Sequence, residues 1–206
     1  MNKKRKSSQL SLNSSSAISK KQRNQAATPS SSSSSIQGQY NLSQVETVLQ
    51  QKFGFTNFRG PQREAINNVL NKKQDTFVLA PTGGGKSICY QLPALILPGL
   101  AIIVSPLIAL MKDQVTHLQK LHLPAAFLGT GVKAVEKRRV YHEIDCAIKN
   151  KPYTLKILYT SPELLISADF KLLLRGLVKN HQVSFFAIDE CHCKDLLLST
   201  LKTAFT

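Results

Sequence analysis

Apolar positions fall into two regimes along this chain, with the change near Tyr40. Before it, Ser, Asn, Gln and Lys dominate, Ser31–Ser35 are consecutive serines, and Leu10, Leu12 and Ile18 are too few to form a face. Such a segment buries too little apolar surface to offset chain entropy, so residues 1–39 are expected to be a disordered tail. From residue 40 onward the pattern becomes periodic. Ser43 and Glu46 have capping-box spacing ahead of a Val45, Val48, Leu49 stripe, which predicts a helix stopped at Phe53-Gly54-Phe55. Pro61 suits the first turn of a second helix running through Ala65, Ile66, Val69 and Leu70. Thereafter short apolar runs alternate with helical patterns. The runs predict strands at Thr76–Ala80, Ala101–Ser105, Ala125–Leu128, Leu155–Tyr159 and Val183–Ile188. Helices are predicted between them at Lys86–Leu92, Leu107–Leu121, Lys133–Lys149 and Phe170–Asn180. Strands that are apolar throughout and separated by helices imply a parallel sheet covered on both faces, an α/β class. No internal repeat is visible.

Charge adds a partner class. The first forty residues hold seven Lys or Arg and no acid, which leaves +8 of the formal +15 on residues 41–206. A basic balance in both parts favours polyanions, because neutralising phosphates releases condensed counterions. Lys3-Lys4-Arg5-Lys6, with Lys20-Lys21 and Arg23, resembles a nuclear-localisation signal. A mitochondrial presequence is the alternative, but that reading wants an amphipathic, Arg-rich helix. No run approaches the roughly 18 apolar residues of a membrane helix, and no membrane association is expected. Cys89, Cys146, Cys191 and Cys193 do not form a secreted disulfide framework, so a reducing compartment is expected. Cys191-His192-Cys193 lacks the spacing of a zinc site.

Two motifs carry chemistry. Thr76–Ala80 leads into Pro81-Thr82-Gly83-Gly84-Gly85-Lys86-Ser87 and then a helical pattern, the strand–loop–helix context of a Walker A phosphate loop. Gly83, Gly84 and Gly85 let backbone N–H groups curl around phosphate oxygens, and the following helix adds its positive end. In this reading Lys86 reaches the β- and γ-phosphates of ATP, and the Ser87 hydroxyl ligates Mg²⁺. Ala80 stands where the pattern has its first Gly. The apolar run Val183–Ile188 then delivers Asp189-Glu190, a Walker B pair, at the end of a strand where ligands of open α/β sheets sit. Asp189 would hold Mg²⁺ and Glu190 would polarise the attacking water.

Further strings point to a family. Asp189-Glu190-Cys191-His192 resembles the D-E-x-H box of superfamily 2 helicases. The F-R-x-x-Q core of Gly54–Gln62 resembles motif 0 of the RecQ DNA helicases. Ser105-Pro106-Leu107-Ile108-Ala109-Leu110-Met111-Lys112-Asp113-Gln114 resembles RecQ motif Ia, and Tyr159-Thr160-Ser161-Pro162-Glu163 resembles motif Ib. Five motifs stand in the family's order across residues 53–193. The resemblance implies a first RecA-like lobe spanning residues 40–206 and an ATP-dependent 3′-to-5′ DNA helicase. It also implies ATP and Mg²⁺ as cofactors and single-stranded or forked DNA as partner. By position, Gln62 would meet the adenine edge and Arg59 would order the nucleotide pocket. Ser105, Pro106, Leu107, Thr160, Ser161, Pro162 and Glu163 would lie along the strand. His192 would relay nucleotide state to that surface.

The chain also departs from the family. Where RecQ proteins carry an aromatic-rich loop with a Trp, Cys193 is followed by Lys194-Asp195-Leu196-Leu197-Leu198, and the chain has no Trp. Motif III and the second lobe with its arginine finger are not in the sequence. In the family the motif III strand separates the Walker A and Walker B strands, so a lobe incomplete at its C-terminus, with a central gap in its sheet, is expected. Two further readings stay open. One is a catalytically dead nucleotide- or DNA-binding fragment. The other is an RNA helicase of the wider superfamily, against which the F-R-x-x-Q and S-P-L-I-A-L-M-K-D-Q strings speak.

Overall fold

The computed structural model describes residues 40–72, 74–81 and 83–189. The chain divides into two units, 1–37 and 38–206, and the described residues all lie in the second. The tail expected over 1–39 falls outside the described residues.

Helix α1 spans Leu42–Phe53 and buries Val45, Leu49 and Phe53 at helical spacing. Its cap is Asn41, not the expected Ser43: the Asn41 Oδ1 accepts from Ser43 N at 3.0 Å, which leaves Ser43 inside the first turn. Glu46, the other half of the expected capping box, instead pairs with Arg63. The stop is as the sequence predicts, because Gly54 takes a left-handed conformation (φ 74°) and its N–H reaches Gln50 O. Helix α2 (Gln62–Asn67) follows Pro61 and continues as a π-helical turn over Asn68–Lys72. Helix α3 (Ile88–Ile96) is apolar almost all round, which suits a helix wedged between the sheet and α1 and α2.

Four strands form one parallel sheet in the order β2-β3-β1-β4. They are β1 (Leu100–Val104), β2 (Ala125–Leu128), β3 (Ile157–Thr160) and β4 (Val183–Ile188). The connections are helical: α4 (Ile108–Lys120), α5 (Ala134–Ile148), then α6 (Pro162–Ile166) and α7 (Ala168–Lys179). Strand periodicity sorts side chains into two cores. Ala101, Ile103, Ile157 and Tyr159 face α1 to α4, whereas Leu100, Ile102, Val104 and Leu158 face α5, α6 and α7. Leu174 and Leu177 on α7 are fully buried in the second core, each contributing about 1.5–3 kcal/mol. Burial on both faces is why the strands read as continuous apolar runs.

One expected strand is not formed. Thr76–Ala80 belongs to no ladder, and Phe77 and Leu79 are 80% and 83% exposed. An apolar run becomes a strand only when a neighbour satisfies its backbone N–H and C=O groups. Among the described residues the sheet ends at β4, whose six residues are all half-buried while β1 is buried throughout. Among the described residues, no strand pairs with residues 76–80.

Candidate nucleotide-binding site

The loop before α3 is shaped by its glycines. Gly83 and Gly85 have φ of 78° and 75°, and Gly84 N donates to Pro81 O at 3.0 Å to close a turn. A Cβ on Gly84 would lie 2.9 Å from Pro81 O, and one on Gly85 would lie 2.4 Å from Gln62 Nε2. The backbone cradle therefore exists only without side chains at these positions. Ser87 stands at the start of α3, where the positive end of the helix dipole favours an anion. Lys86 Nζ folds over the loop, donating to Ala80 O at 2.9 Å and Pro81 O at 3.3 Å. These features fit a nucleotide's phosphates. Thr82 lies outside the described residues.

Gln62 joins motif 0 to this loop. It is 5% exposed, its Nε2 donates to Gly85 O at 2.9 Å, and its Oε1 accepts from Arg59 N at 2.8 Å. The residue expected at the adenine edge thus braces the phosphate loop, with one amide proton and one lone pair to spare. Arg59 itself is exposed, its guanidinium 5.9 Å from the Phe55 ring centroid.

Asp189 follows β4 and extends its ladder by one bond, its N–H donating to Val104 O at 2.9 Å. Phe185 and Ala187 lie on the α3 side of the sheet, and the Asp189 charge acts on Tyr90 and Tyr159 of that side. Burial pushes the Tyr159 phenol up to about 12 and the Tyr90 phenol higher still, with Asp189 adding to both, so both stay protonated. Ser87 at the start of α3 and Asp189 at the end of β4 offer a hydroxyl and a carboxylate, oxygen ligands of the kind Mg²⁺ takes. Glu190 and His192 lie outside the described residues, as does Cys191-His192-Cys193.

The expected strand-contacting residues divide by exposure. Leu107 and Glu163 are exposed and Pro106 is half-buried. Ser105 and Thr160 are fully buried at the ends of β1 and β3, where Ser105 N donates to Thr160 O at 3.1 Å. Pro162 is buried in the first turn of α6, and Ser161 caps it, accepting from Leu164 N at 3.4 Å. The side chains of Ser105 and Thr160 thus lie beneath the surface. Lys112 and Asp113 are exposed on α4, a solvated face as their charge suggests.

Sequence reasoning passed over Gln91. This 3% exposed amide donates to Tyr159 Oη at 2.9 Å and to Gln114 Oε1 at 2.8 Å. Its signal was available: it is the one amide among the apolar positions of Ile88–Ile96.

A glycine cradle, a lysine and a strand-end aspartate on a parallel sheet define a phosphate-loop nucleotide-binding lobe. Residues 59–196 match the DEAD/DEAH box helicase family, and the chain belongs to that family. Within it, the chain is similar to RecQ-type proteins. It is 41% identical to the ATP-dependent DNA helicase Q5 of Mus musculus over 72% of this chain and 15% of that protein. It is 40% identical to the ATP-dependent DNA helicase RecQ of Bacillus subtilis over 74% of this chain and 24% of that protein. For the RecQ protein of Haemophilus influenzae the identity is 42%, over 71% and 22%. The chain thus spans under a third of the length of these relatives. No helix among the described residues is long and apolar enough to cross a membrane.

Proposed function

We propose that this chain is the nucleotide-binding lobe of a RecQ-type, ATP-dependent 3′-to-5′ DNA helicase acting on single-stranded or forked DNA. The observation that carries the reading is the phosphate loop itself, braced by Gln62 and followed by Lys86 and Ser87 at the start of α3. On ATP arrival Lys86 exchanges the carbonyls of Ala80 and Pro81 for phosphate oxygens, and Gly83–Gly85 supply backbone N–H donors. Thr82, which precedes these glycines in the sequence, would bind phosphate with them. Ser87 and Asp189 would hold Mg²⁺, which when bound neutralises charge on the β- and γ-phosphates. Glu190 orients water, and His192 passes nucleotide state toward the surface of Leu107 and Glu163. Arg59 borders the nucleotide pocket beside Gln62.

Hydrolysis in this enzyme class also draws on an arginine finger, which contributes on the order of 10³–10⁵ in rate. The lobe alone is accordingly a binder of nucleotide and strand, and unwinding belongs to the two-lobe engine. The Lys-rich residues 1–39 act as a nuclear import signal. A neutral reporter fused to them should enter the nucleus and lose that on alanine replacement of Lys3–Lys6; mitochondrial accumulation would defeat this.

Titration with a fluorescent ATP analogue in the presence of Mg²⁺ tests the central reading. Lys86→Ala should weaken binding at least tenfold, about 1.4 kcal/mol. Equal affinities would remove the phosphate-loop assignment.

A further inference from the structure

An amide buried among apolar side chains needs its hydrogen bonds, and the partners of Gln91 are informative. Both Nε2 protons are engaged, one on Tyr159 Oη and one on Gln114 Oε1. Tyr159 is among the largest fully buried side chains and stands on β3, next to Thr160–Glu163. Gln114 is on α4, the helix that Ser105–Leu107 lead into. Tyr90, beside Gln91 on α3, meets the Tyr159 ring edge-on, with centroids 6.4 Å apart and planes at 72°. Helix α3 starts at Ser87, directly after Lys86. The helix that begins in the phosphate loop is therefore tied by directional bonds to α4, which exposed Leu107 precedes, and to β3, which leads into α6 and exposed Glu163.

Apolar contacts are non-directional and alone tolerate small sliding of α3 against its neighbours more readily. Hydrogen bonds tolerate it less, because they weaken steeply with misalignment. We propose that Gln91, with Tyr159 and Gln114, is a positioning residue that transmits displacement of the phosphate-loop helix to α4 and to the β3–α6 junction. This rests on the nucleotide-binding reading above. A shift of α3 on nucleotide binding pulls on both partners through one amide nitrogen, so the two surface segments move together. The aromatic pair keeps Tyr159 from swinging away to relieve the pull.

Hydrogen-exchange mass spectrometry on the full chain, with and without Mg²⁺ and a non-hydrolysable ATP analogue, tests the relay. Tyr159→Phe keeps the ring and removes the hydroxyl, and Gln114→Leu removes the other acceptor. Nucleotide should slow exchange in the wild type over α3, over residues 105–114 and over residues 157–163. Tyr159→Phe should keep its nucleotide affinity, its nucleotide-free exchange and its α3 response, while the response over 157–163 falls by about half or more. Gln114→Leu should do the same over 105–114. A merely structural role would raise exchange in the nucleotide-free protein and leave the response intact, which overturns the proposal. Full responses in both variants overturn it too. Absence of nucleotide binding by the wild type, read separately by fluorescence titration, would instead overturn the phosphate-loop reading and the relay with it.

Discussion

The brace between Gln62 and Gly85 makes a quantitative prediction about two positions far apart in sequence. Gly85 has φ of 75°, and a Cβ there would lie 2.4 Å from Gln62 Nε2. Gly85→Ala therefore incurs two penalties. Holding an alanine in the left-handed region costs about 1 kcal/mol. Expelling the Gln62 amide breaks its bonds to Gly85 O and Arg59 N, costing about 2 kcal/mol. The single variant should lose about 3 kcal/mol. Gln62→Ala loses the same two bonds and should cost about 2 kcal/mol. In the double variant the bonds can be lost only once and the added methyl meets no side chain, so its loss should again be about 3 kcal/mol. The coupling between the sites is then about 2 kcal/mol. Urea unfolding followed by circular dichroism on the four proteins measures it. Losses that add to within about 0.5 kcal/mol would refute the steric and hydrogen-bonding account of the brace.

Three further outcomes follow from other parts of the molecule. Burial pushes the Glu143 carboxyl up, but bonds from Thr154 N, Leu155 N and the Thr154 hydroxyl, with the Arg139 charge, hold it below the ordinary range. A lowered folded-state pKa gives stability that is present above the unfolded value, about 4.3, and is lost as pH falls through the folded one. Glu143→Gln should thus destabilise near neutral pH and progressively less in acid; a pH-independent deficit in melting curves would contradict this. The exposed Phe77 and Leu79, in a run that pairs with no described strand, favour self-association. Phe77→Ser with Leu79→Ser should reduce it in sedimentation velocity, and an unchanged profile would place the association elsewhere. Finally, the 206-residue chain should not separate a forked duplex; ATP-dependent separation that Lys86→Ala abolishes would show that one lobe suffices.

Several features were legible from residue order alone because their causes are local. The glycines, Lys86 and Ser87 are consecutive, so the loop's conformational freedom and the start of α3 follow from neighbours in the chain. Likewise the four formed strands and the helices between them are encoded in spacing, since a helix or strand face is a periodicity. Even the stop at Gly54 is a one-residue effect.

Tertiary structure decided whatever depends on a partner from elsewhere. Thr76–Ala80 has a strand's composition, but no described neighbour completes its ladder, so it stays unpaired. Gln62 sits among polar residues in the sequence and only the fold brings it against Gly85, 23 positions away. Ser105 and Thr160 read as surface contacts until parallel pairing of β1 with β3 encloses them. Gln91, Gln114 and Tyr159 carry no common local signal, because they meet only when α3 and α4 pack on the same face of the sheet. A sequence specifies which groups a segment offers; burial and hydrogen-bond pairing are properties of two segments at once, and are fixed only when the chain brings them together.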